Sequence, residues 1–257
     1  MAFDLAAFSL EGRTAMVIGG GGGVGLAMAR GLRAAGASVL VAGRSQDKLD
    51  EAVAALAQAG QKQFGYRVDA RSPEGLRELA SKAEADHGPV DILINCQGTT
   101  AIKPALELTE EEYDAILDTN LKGVFFACVA FGARMVERRG GVIINITSLA
   151  AHTGWANAAA YCASKWGVAG ITQTLAAEWG SAGVRVNAIA PGFFLTALNR
   201  DRMSPERKAE AVHRNAMRRM GEVEELVGAA VYLASDASRF VSGATLRVDG
   251  GYLSSGI

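Results

Sequence analysis

Ser148, Tyr161 and Lys165 bring a hydroxyl, a phenol and an ammonium into one short stretch of chain. Together they can move a proton beside a carbon-bound oxygen. Tyr161 and Lys165 are four residues apart, so on a helix they share a face one turn apart. A free tyrosine titrates near ~10 and is protonated at neutral pH, whereas a neighbouring ammonium favours the phenolate and makes the group a usable general base. The spacing alone also fits a buried ring beside a solvated lysine. The surrounding elements decide between the two readings.

Residues 13–18 read as a buried strand that runs straight into a glycine-rich loop, Gly19 to Gly25, interrupted only by Val24. A helical pattern follows over 26–35. Strand, glycine loop and helix start make an anion site, because glycines let backbone approach a pyrophosphate whose charge the helix N-terminus favours. A flexible linker is the alternative, but linkers are not usually flanked so tightly by a β-branched apolar run and an amphipathic helix.

Further strands are expected at 38–42, 64–68, 92–95, 142–147, 185–189 and 245–248, with helical patterns filling most of the intervals. Ser72-Pro73-Glu74 supplies a cap with proline at the first helical position, and Thr109 with Glu112 has capping-box spacing. This alternation predicts an α/β fold, a doubly wound parallel sheet of the Rossmann type with helices on both faces and ligands beyond the carboxyl ends of the strands. The glycine loop, Asn95, Ser148 and Pro191 all fall at such ends. At 257 residues, 49% hydrophobic and with a formal net charge of −1, the chain can bury a large core and has no global pull towards nucleic acid or anionic membrane. No uninterrupted apolar, charge-free run of spanning length and no secretory signal pattern is seen, so a cytoplasmic protein is expected. Cys96, Cys128 and Cys162 are too few and too scattered for a disulfide framework or a zinc site. His87, His152 and His213 are equally dispersed, and no metal is expected.

These motifs resemble the short-chain dehydrogenase/reductase family. Its T-G-x-x-x-G-x-G pattern fits Gly19, Gly23 and Gly25, with Ile18 in place of the threonine. Asn95-Cys96-Gln97-Gly98 looks like the family's N-N-A-G strand end, departing at Cys96 and Gln97. Asn120 stands at the catalytic asparagine, Ser148 lies thirteen residues before Tyr161, and Pro191-Gly192 is followed by Thr196. The tail around Asp249-Gly250-Gly251 completes a resemblance covering about residues 10–252. It implies one NAD(P)-binding domain over 1–257, with a substrate lid near 193–220. It also implies hydride transfer at nicotinamide C4, with Tyr161 handling the alcohol proton. Lys165 would lower the Tyr161 pKa and hold the nicotinamide ribose, Ser148 would bond the substrate oxygen, and Asn120 would hold a water on the proton path. Read without the family, Ser148 is also a strand-end cap and Asn120 a helix-kink or turn residue.

Cofactor choice turns on the end of the second strand, where Gly43-Arg44-Ser45 replaces the acid that would bind the ribose hydroxyls of NAD. The Arg44 guanidinium suits a 2′-phosphate, so NADP(H) is favoured and NAD(H) is the alternative. Gly22, where many NADP-preferring relatives are basic, speaks the other way, and Arg44 also fits a role stacking on adenine. Asp69 matches the family's adenine-binding aspartate, and equally a helix cap. The expected cofactor contacts are Gly19, Gly23, Val24, Gly25, Arg44, Ser45, Asp69, Ala70, Asn95, Gly98, Tyr161, Lys165, Pro191, Gly192 and Thr196.

A small-molecule substrate is expected at Ser148, His152, Trp155, Tyr161, Phe193 and Arg200, with Trp155 either stacking on a sugar ring or simply packing. The stretch from Arg200 to Arg219 carries seven basic residues against three acidic ones, a lid suited to an anion or merely the solvated face of a helix. The chain also resembles the family's gluconate 5-dehydrogenase-like branch, which implies an NADP-dependent oxidoreductase interconverting alcohol and ketone on a sugar or sugar acid. A 3-oxoacyl thioester reductase shares the catalytic set and is the rival enzyme. A dinucleotide-sensing binding module would be expected to lose Tyr161 or Lys165. Family members are commonly homotetramers, which implies self-association through the long helices following Thr109 and Asn157.

Overall fold

The computed structural model describes residues 4–57, 64–196 and 203–255. Its strands are β1 (Thr14–Ile18), β2 (Ser38–Gly43), β3 (Phe64–Arg67), β4 (Ile92–Asn95), β5 (Gly141–Ile146), β6 (Val184–Pro191), β7 (Phe194–Leu195), β8 (Gly221–Glu222) and β9 (Thr245–Val248). The helices are α1 (Gly23–Ala34), α2 (Gln46–Leu56), α3 (Pro73–His87), α4 (Glu110–Leu117), α5 (Gly123–Glu137), α6 (Ala159–Trp179), α7 (Pro205–Arg214) and α8 (Val227–Ala234).

Seven parallel strands form one sheet in the order β3-β2-β1-β4-β5-β6-β9. Both faces are covered, as β-branched runs without polar alternation require. Side chains alternate along β1: Ala15 and Val17 join the core under α1, α2 and α8, while Met16 and Ile18 join the core under α3, α5 and α6. The winding reverses between β1 and β4, where Ile18 lies in register with both Ala42 and Asn95. This switch point opens the crevice in which such sheets bind ligands.

Local capping agrees with the sequence. Ser72 Oγ accepts from the Gly75 amide at 3.0 Å, and Thr109 and Glu112 make a reciprocal capping box. α1 starts three residues earlier than the apolar pattern indicates, because the loop glycines themselves enter the first turn. β7 and β8 pair Phe194 with Gly221, which ties together the two ends of the segment expected as a lid. Residues 197–202, including Arg200 and Arg202, lie outside the described residues.

α4 and α5 are one continuous helix joined by a π-turn at Asp118–Lys122. By length and composition this Glu110–Glu137 helix could cross a membrane, but half of its most apolar window is buried. Val124, Ala127, Phe131 and Met135 are in the core under the sheet, leaving Phe125 and Val129 outward.

Candidate active site

The carboxyl ends of β4, β5 and β6 and the first turns of α6 bring the sequence-predicted groups together. Lys165 is only 4% exposed, and its Nζ donates to the Ile146 carbonyl at the end of β5 at 2.8 Å. It stands 5.8 Å from the centre of the Tyr161 ring. Ser148, two residues past β5, accepts from the Ala150 amide at 3.1 Å and also hydrogen-bonds the Tyr161 phenol. Ser148 thus caps a short turn and also faces the phenol.

Burial sets the electrostatics. It pushes Tyr161 above its ordinary pKa, and the Ser148 hydrogen bond offsets this only in part. Burial also pulls Lys165 down to about 8. The expectation that Lys165 depresses Tyr161 is thus not met in the chain by itself, where desolvation of the phenolate is the largest influence on the group.

Asn120 sits in the π-turn, fully buried. Its Oδ1 accepts from the Thr99 amide at 2.8 Å while Nδ2 donates to the Thr99 carbonyl at 2.9 Å and to Ser164 Oγ at 3.1 Å. A side chain added at Gly98 would meet both Asn120 Oδ1 and Lys165 Nζ, so the glycine keeps the space between them open. The π-turn is what directs the amide here, and nothing in the sequence signalled it. Such turns are frequent at functional sites.

The glycine loop fits a pyrophosphate. A Cβ at Gly25 would lie 2.2 Å from the Gly19 carbonyl oxygen, so helix and loop pack at backbone distance. Gly23 has φ +51° and open space where a side chain would project. A phosphate can approach backbone there without obstruction. Val24 is half-buried behind the loop. Arg44 is exposed just past β2, and no acid precedes Asp47 in that turn. Ser45 Oγ is shared with the α2 cap, facing the Lys48 amide at 3.5 Å. Ala70 is buried, its carbonyl against Gly123 at the start of α5. Gly192 donates to the Val248 carbonyl at 2.9 Å beside Pro191, and Thr196 is the last described residue before residue 203.

Two expected cofactor contacts are turned elsewhere. Asn95 is fully buried, its Nδ2 donating to Asn145 Oδ1 at 2.9 Å and to Cys128 Sγ at 3.3 Å. Its amide clamps β4 to β5 from inside, leaving only backbone to face a ligand. Asp69 grips the Arg71 guanidinium at 2.6 to 3.1 Å, which lowers its pKa, with Arg44 adding to the effect at longer range.

An aromatic run lines the mouth. Trp155 lies near-parallel to Phe193 (centroids 5.4 Å, 15°) and to Tyr161 (6.3 Å, 22°), and Phe193 meets Tyr252 at 5.2 Å. Trp155 packs on these aromatic neighbours. His152 is exposed, and its pKa is lowered by partial burial and then by the Arg247 guanidinium, while Asp249 acts the other way. The described lid cations are largely engaged. Arg219 holds Glu225 through two 2.6 Å contacts, Arg214 meets Glu210 at 3.3 Å, and Arg218 donates to the His213 carbonyl. Among the described residues no group of three His, Cys, Asp or Glu is placed to hold a metal.

Comparison with known proteins agrees with this geometry. Residues 19–253 match a family model described as enoyl-(acyl carrier protein) reductase. A 2-dehydro-3-deoxy-D-gluconate 5-dehydrogenase of Formosa agariphila is 37% identical, covering 98% of this chain and 96% of its own. A D-threitol dehydrogenase of Mycolicibacterium smegmatis is also 37% identical, covering 95% and 94%. The crystal structure of a gluconate 5-dehydrogenase from Burkholderia cenocepacia in complex with NADP and tartrate superposes with a TM-score of 0.93 at 35% identity, covering 97% and 98%. With a seven-stranded parallel sheet, the glycine loop at its switch point and the Ser148, Tyr161 and Lys165 cluster beside it, the chain belongs to the short-chain dehydrogenase/reductase family.

Proposed function

We propose that this chain is an NADP(H)-dependent dehydrogenase that interconverts a secondary alcohol and a ketone on a sugar acid or a closely related small polar carbohydrate. The observation that carries the reading is the convergence of Tyr161, Ser148, Lys165 and Asn120 beside a loop shaped for pyrophosphate. Names and bound ligands of the relatives supply the substrate class and the cofactor. Arg44 is the residue that would take the 2′-phosphate, since a guanidinium pairs with phosphate and no acid competes at the strand end.

When bound, NADP supplies the hydride acceptor or donor at nicotinamide C4. The chain's own groups manage the proton. In oxidation Tyr161 takes the alcohol proton as the carbon becomes a carbonyl; in reduction it returns one to the developing alkoxide. Ser148 holds the same substrate oxygen and fixes the reacting carbon at near-attack distance. Lys165, held by the Ile146 carbonyl, offers its remaining N–H groups to the nicotinamide ribose and to the phenol. Asn120, near Lys165 across Gly98, is placed to anchor a water that continues the proton path. Because burial raises Tyr161 and lowers Lys165, proton donation is the easier direction near neutral pH.

We assign the substrate lid of a single domain to the segment near 193–220, whose described ends are tied together where β7 pairs with β8. We assign the outward apolar face of α5 and α6 to self-association into a homotetramer: Phe125, Val129, Ile171 and Trp179 border a groove of about 290 Å³. A cytoplasmic location, with no nucleic-acid or membrane partner, fits a soluble enzyme of this class. The decisive experiment is initial rates with NADP and NAD across sugar acids and polyols, with Tyr161→Phe as control. NADP-preferring, Tyr161-dependent oxidation of a gluconate-like acid supports the reading. Consumption of NADPH by a 3-oxoacyl thioester, without sugar turnover, overturns it.

A further inference from the structure

A cavity of about 330 Å³ lies between the two ends of the lid, bounded by Phe193 and Phe194, by the turn that follows α7, and by the end of β9. That volume is within the range of small-molecule sites. Phe193 is its shared wall with the reaction centre, because the same ring packs on Trp155, which in turn packs on Tyr161.

The charged groups lining the cavity differ in what they have left to offer. Arg219 is fully engaged by Glu225, at 2.6 Å through each of two nitrogens. Asp249 spends one carboxylate oxygen on the Gly251 amide at 3.0 Å and the other on the Leu253 amide at 3.1 Å. The backbone of Arg247 belongs to the β6–β9 ladder, but its guanidinium has no hydrogen-bond or ion-pair partner among the described residues. It is the cavity's uncompensated cation among the described residues. His152, four residues past Ser148, is near enough for the Arg247 charge to act on it, which joins the cavity to the loop carrying the site.

We propose that Arg247 is the specificity anchor for an anionic substrate, its guanidinium taking the carboxylate of a sugar acid in this cavity, with His152 meeting an adjoining hydroxyl and the reacting carbinol at Tyr161. The assignment rests on the sugar-acid reading above. A planar guanidinium presents two parallel N–H groups that match a carboxylate, and its lack of a protein partner means no ion pair must break on binding. In the sequence the basic lid is one candidate for this recognition, the solvated face of a helix being the other reading of the same charges. Arg214, Arg218 and Arg219 of the lid are engaged by protein groups, whereas the Arg247 guanidinium, on the edge strand, has no partner among the described residues.

The test is steady-state kinetics of the wild type, Arg247→Gln and Arg247→Lys, with gluconate and with neutral D-threitol at saturating NADP. NADPH fluorescence titration verifies that each variant is folded. Arg247→Gln is expected to raise the KM for gluconate roughly 10- to 100-fold with much less effect on kcat, lowering the acid-to-polyol preference by at least about tenfold, and Arg247→Lys to restore part of it. A wild type that oxidises polyols but no sugar acid removes the underlying reading. A wild type that oxidises gluconate, together with an unchanged acid-to-polyol preference in Arg247→Gln, overturns the Arg247 assignment alone.

Discussion

Replacing Lys165 by methionine should make the protein more stable while it destroys the enzyme. Lys165 is 4% exposed and its pKa falls from 10.5 to about 8 through burial, so holding the cation at pH 7 opposes folding. At about 1.4 kcal/mol per tenfold change in proton affinity, the cost is about 3 kcal/mol. Methionine removes that cost and fills similar space, but strands the Ile146 carbonyl that Lys165 bonds at 2.8 Å, returning about 1 kcal/mol. The net gain of about 2 kcal/mol corresponds to a Tm increase of about 4 °C for a chain of this size. The effect carries its own pH signature. Between pH 8 and 10.5 the unfolded wild type still holds a proton that the native state has released, so native stability rises with pH across that window. Lys165→Met lacks this rise, and its advantage should shrink as pH approaches 10. Calorimetric melts of both proteins at pH 7 and pH 10, with turnover measured alongside, check the prediction. A variant that melts below the wild type at pH 7, or a gap that ignores pH, would refute the claim that the site stores an unfavourable charge.

Three further expectations follow from the same geometry. Arg44→Glu should reverse cofactor preference, weakening NADP by about 100-fold through loss of a charge-assisted contact and added repulsion, read as the ratio of kcat/KM for NADP and NAD. Because burial holds Tyr161 above its ordinary value, alcohol oxidation should climb steadily from pH 7 towards pH 10 while ketone reduction, which uses the protonated phenol, stays level over the same range; a flat oxidation profile in rapid-mix kinetics would contradict this. Cys96 and Cys128 are pushed up to about 11 and about 12 by burial, so iodoacetamide at pH 8 should label them far more slowly in native than in urea-unfolded protein, as mass spectrometry of quenched samples would show.

Much of the frame was legible in the sequence because its signals are local. Runs such as residues 15–18 and 142–144 are apolar on both faces, as a strand covered on two sides requires, and the glycine loop lies between a strand and a helix. The spacing of Tyr161 and Lys165 also needed nothing beyond the helix period. What escaped was set by tertiary contacts. Asn95 looked like a ligand group at a strand end, yet the pleat turns it inward onto Asn145, fifty residues away. Asp69 was available to adenine until Arg71 closed on it. The Tyr161 pKa depends on how deeply the phenol is buried, which spacing does not report. Arg247 and His152 are separated by most of the chain's second half, so no motif could unite them.

The π-turn at Asp118–Lys122 amounts to one residue more than a regular helix needs. Upstream of it the helix face is registered by the Thr109 capping box; downstream it is registered by Phe131 and Met135 in the core. Removing a single residue there would rejoin the two halves as ordinary helix with a more regular hydrogen-bond ladder, and would swing the upstream half by about 100° relative to the downstream half. Asn120 would lose Thr99 and Ser164 together. The reading frame of the helix is thus held out of phase at Asn120, and a gap of one in this stretch of a relative would mark a protein that keeps the fold without these Asn120 contacts.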